Sequence, residues 1–172
     1  MEEVESIFQD KNLEHVTCIM QDQNMNEEER EVFLQNFEEE REESLVGFCV
    51  LGGIFSEGID LTAERLIGAI VVGTGLPMVC NEREILKNYF DNMGEFGFDY
   101  AYMYSGMNKV LQAAGRVIRT EHDVGVVLLL DDRFRERRYM DIFPREWKDI
   151  KVCNLNDVEE QVQAFWTEKR IP

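Results

Sequence analysis

The stretch Val124-Gly-Val-Val-Leu-Leu-Leu130, closed by Asp131-Asp132-Arg133, decides the fold class. Almost unbroken aliphatic character over so short a run reads as a strand buried on both faces, the habit of parallel sheets. Three other runs share it. They are His15-Val-Thr-Cys-Ile-Met20, Leu45-Val-Gly-Phe-Cys-Val-Leu51 before Gly52-Gly53, and Leu66-Ile-Gly-Ala-Ile-Val-Val72 before the turn Gly73-Thr-Gly-Leu-Pro77. Helical periodicity fills the intervals. Asn26 is placed to cap a helix whose first turn is Glu27, Glu28 and Glu29, with Phe33, Leu34 and Phe37 on one side. Arg83 to Phe90 carries Ile85, Leu86, Tyr89 and Phe90, and a longer helix is expected from about Ala101 to Arg119. Two further helices are expected over Phe143 to Lys151 and Val158 to Trp166. Strands alternating with helices define an α/β domain with a mainly parallel sheet covered on both faces.

At 172 residues the chain has the size of one domain, expected to span residues 1–172, and no linker divides it. No apolar run reaches membrane-spanning length, and no signal peptide opens the chain, so a membrane or secreted protein is not expected. The four cysteines are scattered without a CxxC pair, and two histidines offer little for zinc. They read as thiols of a reducing compartment.

A net charge of −17 argues at first against a nucleic-acid binder. Its distribution weakens that argument. Residues 1–43 hold fifteen acids and three bases, whereas Lys109 to Lys148 holds nine bases and seven acids, four of the bases within Arg133-Phe-Arg-Glu-Arg-Arg138.

A phosphate-binding loop is the natural thing to seek in such a domain. No GxxxxGK[ST] occurs, and Gly73-Thr-Gly75 runs on to Met78 without a third glycine, so neither the P-loop nor the dinucleotide fingerprint is present. Two stretches nevertheless carry chemistry beyond scaffolding. Gly52-Gly-Ile-Phe-Ser-Glu-Gly-Ile-Asp-Leu61 follows a strand at the sheet edge where α/β proteins place ligand loops, although it would also serve as a plain strand-to-helix turn. Gln112-Ala-Ala-Gly-Arg-Val-Ile-Arg119 continues a polar stripe. On one helix Asn108, Gln112, Arg116 and Arg119 share a face, with Leu111, Ala114 and Ile118 on the buried side. That stripe suits a solvated face or a grip on phosphate, since each guanidinium offers a planar fork of donors. A metal-dependent nuclease using Asp131 and Asp132 is a weaker reading, because adjacent acids on an extended strand point to opposite faces.

Together, GGIFSEGIDL at 52–61 and QAAGRVIR at 112–119 resemble motifs V and VI of superfamily-2 helicases of the XPD/DinG type. Asp123-Val-Gly125 and the strand ending in LLLDDRF extend the likeness, which runs from about Val16 to Phe143. The resemblance implies a RecA-like, three-layer domain of P-loop-NTPase type that lacks the P-loop itself, the second motor domain of an ATP-dependent DNA helicase. It implies an ATP site shared with a first RecA-like domain, which would hold most of the Mg²⁺ and ATP. Arg116 and Arg119 would be arginine fingers, with Gln112 near the γ-phosphate or its attacking water. Asp60 would accept from the ribose hydroxyls, Glu57 and Gly58 would line the cleft, and Ser56 would touch single-stranded DNA. An iron–sulfur cluster belongs, in many members, to the first half; the cysteines here do not match it. The chain thus reads as the C-terminal part of a longer helicase, inactive alone, working in the cytoplasm of a bacterium or the nucleus of a eukaryote. The alternative is a non-catalytic interaction module that keeps a helicase-like fold.

Overall fold

The computed structural model describes residues 15–22, 24–37, 41–53, 66–120, 122–147 and 149–169, which fall into two compact units divided after Leu66.

The first unit is a β-α-β element. Strand β1 (Val16–Met20) pairs in parallel with β2 (Ser44–Phe48), with Val16 opposite Ser44 and Met20 opposite Phe48. A parallel pair needs a crossover, and helix α1 (Glu27–Gln35) lies between the two strands in the chain. Its start is the one expected. The Asn26 side chain accepts from the Glu29 N–H at 3.0 Å, and the Glu29 carboxylate accepts from the Asn26 N–H at 2.8 Å, a reciprocal capping box. Phe33 is buried and its ring meets that of Phe37 at 5.8 Å. Phe37 also lies over β2 at Gly47, where a β-carbon would come within 2.5 Å of the ring, so glycine is needed there for the aromatic to sit on the strand.

The second unit repeats the pattern with longer helices. Strand β3 (Gly68–Val72) pairs in parallel with β4 (Val126–Leu130), Gly68 opposite Val126 and Val72 opposite Leu130. Between them run α2 (Asn81–Asn92) and α3 (Tyr104–Ala114), the latter entered through a π-helical turn at Asp99–Met103. A π turn packs its residues more loosely, and this one is held by side chains from both directions. Arg83 of α2 donates to the Ala101 carbonyl, the Tyr102 hydroxyl donates to Glu84 at 2.6 Å, and Phe90 stacks on Tyr100 at 4.0 Å. From beyond β4, Arg138 pairs with Asp99, donates to the Met103 sulfur and lies over the Phe98 ring. Ala101, Met103, Met107 and Val110 are almost fully buried, so the core of this unit sits where the π turn runs into α3.

Helix α3 docks on the turn that follows β3 through Gly106. A β-carbon there would stand 2.5 Å from the Thr74 carbonyl oxygen and 3.0 Å from the Leu76 nitrogen. Backbone meets backbone at that point. After β4 come a 3-10 turn (Asp132–Arg135), a short α4 (Arg137–Met140) and α5 (Val158–Lys169).

Three expectations are corrected. The long helix stops at Ala114 and does not reach Arg119. Phe143 to Lys151 does not form a helix: its described part holds one turn, with the Trp147 N–H donating to the Pro144 carbonyl, because proline starts a turn and offers no N–H to extend it backwards. The expected burial of β3 on both faces is also not found. Val71 is 4% exposed, while its neighbours on the other face, Ile70 and Val72, are 63% and 76% exposed. Among the described residues the strands form two parallel pairs, and a three-layer arrangement is not seen.

Candidate nucleotide-facing site

Motif V begins at Gly52 and Gly53; Ser56, Glu57, Gly58 and Asp60 lie outside the described residues. What the structure does give is the entry to that loop. Gln21, buried at the end of β1, accepts from the Val50 N–H at 2.9 Å through its side chain, and its own N–H donates to the Phe48 carbonyl. Gly52 has φ of 77°, a left-handed conformation that favours glycine. Gly53 approaches the Gln21 amide closely enough that a β-carbon would lie 3.4 Å from its nitrogen. Sequence reasoning passed over Gln21. A buried amide directly after an apolar strand was the signal.

Motif VI begins on α3. Gln112 stands exposed on the last turn of α3, one turn beyond the equally exposed Asn108, so the first half of the expected polar stripe is present. The second half leaves the helix. Gly115 caps α3, and the next N–H groups make short-range bonds: Arg116 to the Ala113 carbonyl and Val117 to that of Ala114. The chain tightens, turns and runs out extended. Arg116 and Arg119, both half-buried, therefore sit on a loop beyond the helix.

That loop is held at two points. Val117, not Ile118, is its apolar anchor: Val117 is 3% exposed and Ile118 50%. Val117 packs where Gly125 leads into β4, and a β-carbon at Gly125 would fall 2.3 Å from the valine methyl and 3.0 Å from the Ile67 carbonyl oxygen. The second point is Asp123. One oxygen of its carboxylate accepts from the Arg119 N–H at 2.8 Å and the Thr120 N–H at 2.7 Å. Those backbone donors, Arg119 first, hold the carboxyl below the usual aspartate range.

The arginines after β4 are not a bare cationic patch. Arg133 grips Asp131 with two parallel bonds, Nε to Oδ1 at 2.8 Å and a terminal nitrogen to Oδ2 at 2.7 Å, while the Asp131 carboxylate also accepts the Arg133 N–H. Arg138 is paired with Asp99. Asp131 and Arg133 thus stabilise each other and the 3-10 turn. The nuclease reading has its first carboxylate already engaged, and among the described residues no cluster of His, Cys, Asp and Glu is placed to hold a metal ion.

The Arg133 side chain is the largest of the influences that hold the Asp131 carboxyl below its ordinary value of 3.8. A depressed folded-state value stabilises the fold fully above the ordinary value and loses that contribution as pH falls through the lower one. Urea midpoints taken near neutrality and at about pH 3 should accordingly fall further for the wild-type chain than for Asp131→Asn. Equal losses would show that the pair is energetically silent.

Comparison with known proteins settles the family. The profile of the helicase C-terminal domain matches residues 1–150. The chain belongs to that family. Its relatives include a probable ATP-dependent helicase of Methanocaldococcus jannaschii, 31% identical over 106 residues, covering 56% of this chain and 16% of the relative. The ATP-dependent DNA helicase DinG of Photobacterium profundum is 32% identical over 115 residues, covering 66% and 16%. Regulator of telomere elongation helicase 1 of Bos taurus is 40% identical over 96 residues, covering 50% and 8%. The chain spans only 8% to 16% of the length of these relatives. The resemblance to the second motor domain of XPD/DinG-type helicases is thus borne out, and the α/β content with parallel strands is that of the family's RecA-like domain.

Proposed function

We propose that this helicase C-terminal domain is the second motor domain of an ATP-dependent DNA helicase, a single three-layer RecA-like domain over residues 1–172, acting with a first RecA-like domain on single-stranded DNA in the bacterial cytoplasm or the nucleus. The observation that carries the reading is the arginine loop. Two half-buried arginines stand on a loop whose backbone is fixed at Val117 and Asp123, in a chain matched to the family over most of its length. Rigid backbone under a cation suits it to meet charge that develops during a reaction, since little reorganisation is then needed at the moment of transfer.

ATP is the substrate. Arg116 and Arg119 direct N–H donors at oxygens of the transferred phosphoryl group, which accumulate charge as the bond to the leaving diphosphate lengthens. Gln112, on the last turn of α3, is positioned by the same helix end and accepts from or donates to the attacking water. Asp60 takes the ribose hydroxyls, Glu57 and Gly58 line the cleft and Ser56 contacts the DNA backbone. Mg²⁺ and most of the triphosphate fall to the first domain. Because the fingers come from a second domain, hydrolysis depends on closure, and closure is what moves DNA.

The division of labour gives a direct test. The purified chain alone should hydrolyse no ATP above the buffer blank, with or without single-stranded DNA, and should gain DNA-stimulated turnover when joined to its first motor domain. Turnover by the chain alone would overturn the two-domain reading. No turnover in the joined protein would favour the non-catalytic interaction module.

A further inference from the structure

The arginine loop contains one carboxylate that governs the backbone beneath one of its arginines. Asp123 uses a single oxygen to accept two consecutive N–H groups, those of Arg119 and Thr120. Two donors converging on one acceptor fix the orientation of two successive peptide planes, hence the backbone angles of Arg119. The turn is closed by a further bond, from the His122 N–H to the Thr120 hydroxyl at 3.3 Å. On its other flank the loop is pinned by Val117 beneath Gly125. Arg119 thus leaves a frame held at both ends.

We propose that Asp123 is a positioning residue for Arg119: it sets where the guanidinium stands when the nucleotide is bound, without touching the nucleotide. The proposal rests on the reading of Arg119 as a finger. Its physical basis is leverage. A rotation of roughly 10° at the backbone carries the end of an arginine side chain by about 1 Å, and misplacement on that scale costs on the order of 100-fold in rate. The position of the acceptor oxygen aims the backbone, because both bonds use main-chain donors; the charge strengthens those bonds without directing them.

The experiment compares kcat and KM for ATP, with saturating single-stranded DNA, in the two-domain protein carrying Asp123→Ala, Asp123→Asn, Asp123→Glu, Arg119→Ala and the double substitution Asp123→Ala/Arg119→Ala. Asp123→Ala should lower kcat by about 10- to 100-fold with little change in KM. Asp123→Asn keeps an oxygen in place and should stay within about threefold of wild type, whereas Asp123→Glu keeps the charge but displaces the oxygen and should be slow. The double variant should be no slower than Arg119→Ala, since the two substitutions remove one interaction. A merely structural role would lower the melting temperature and multiply with Arg119→Ala. If Arg119→Ala is slow while Asp123→Ala is fast, the positioning role is wrong and the finger stands. If Arg119→Ala turns over normally, the finger reading fails and this proposal falls with it. Should the alanine variant not fold, the Asn and Glu pair decides alone: a fast Glu with a slow Asn overturns the proposal.

Discussion

Arg119→Ala in the two-domain protein is expected to lower kcat for DNA-stimulated ATP hydrolysis by about 10³-fold or more, and Arg116→Ala to do the same. A thousandfold is about 4 kcal/mol of transition-state stabilisation, far above the fraction of a kcal/mol that a solvated surface arginine contributes. Position decides the size of the effect. Both residues are half-buried on a loop that is anchored by Val117 and clamped by Asp123, so the backbone that carries their donors is held in place. Lysine should not substitute, because a compact ammonium cannot reproduce the planar fork that spans two phosphate oxygens. Circular dichroism and melting temperature of the variants establish that the fold survives; single-turnover hydrolysis then reads the chemical step. Wild-type rates in both alanine variants would return Arg116 and Arg119 to the class of surface residues.

The second large effect concerns folding. Gly106→Val is expected to destabilise the second unit by about 3 kcal/mol, through the overpacking it forces. For a unit of this size that lowers the melting temperature by roughly 10 °C or more. A β-carbon at 106 would stand 2.5 Å from the Thr74 carbonyl oxygen, and the atoms it meets are main chain on a loop held by its own pairing to β4. They cannot rotate aside as a side chain would. Helix α3 must lift away from β3, and Met107 and Val110, both fully buried, must lift with it. Gly115→Ala, by contrast, meets the Leu111 carbonyl oxygen at 3.1 Å and that of Gln112 at an ordinary 3.7 Å, and has a helical φ, so it should be far milder. Calorimetry of both variants checks the contrast; similar melting temperatures would deny the close approach at Gly106.

The alternation of strands and helices was legible because parallel strands write themselves as aliphatic runs: β1, β3 and β4 fall within the runs that mark them, and β2 overlaps its run but starts one residue earlier, at Ser44. The start of α1 was legible for a different reason: Asn26 and Glu29 make a local bargain that needs no distant partner. The end of α3 was not. Arg116 keeps perfect helical spacing from Gln112, and nothing nearby forbids another turn. What ends the helix lies outside it: Val117 is claimed by the groove at Gly125 and the distant Ile67, and the Arg119 N–H by Asp123 downstream. Tertiary contacts overrode a good local pattern. The same holds for the segment after β4. Phe143 and Trp147 have helical spacing and their rings do meet at 5.3 Å, but one turn suffices for that contact. The partners of the arginine run Arg133 to Arg138, Asp131 just before it and Asp99 far upstream, are assigned by the fold and not by composition.

Arg138 has a consequence for the order in which the protein is made. Its partner Asp99 lies 39 residues earlier, in the π turn that feeds α3. On a ribosome, α2, the π turn and α3 emerge well before the residue that latches them. The loop that must close is long, and its closure entropy is met only once β4 has paired and brought the arginine round. Until then Asp99 holds an unanswered charge beside an unusual turn. The last side-chain ties on the π turn are thus made from downstream, after the helices they hold have been synthesised.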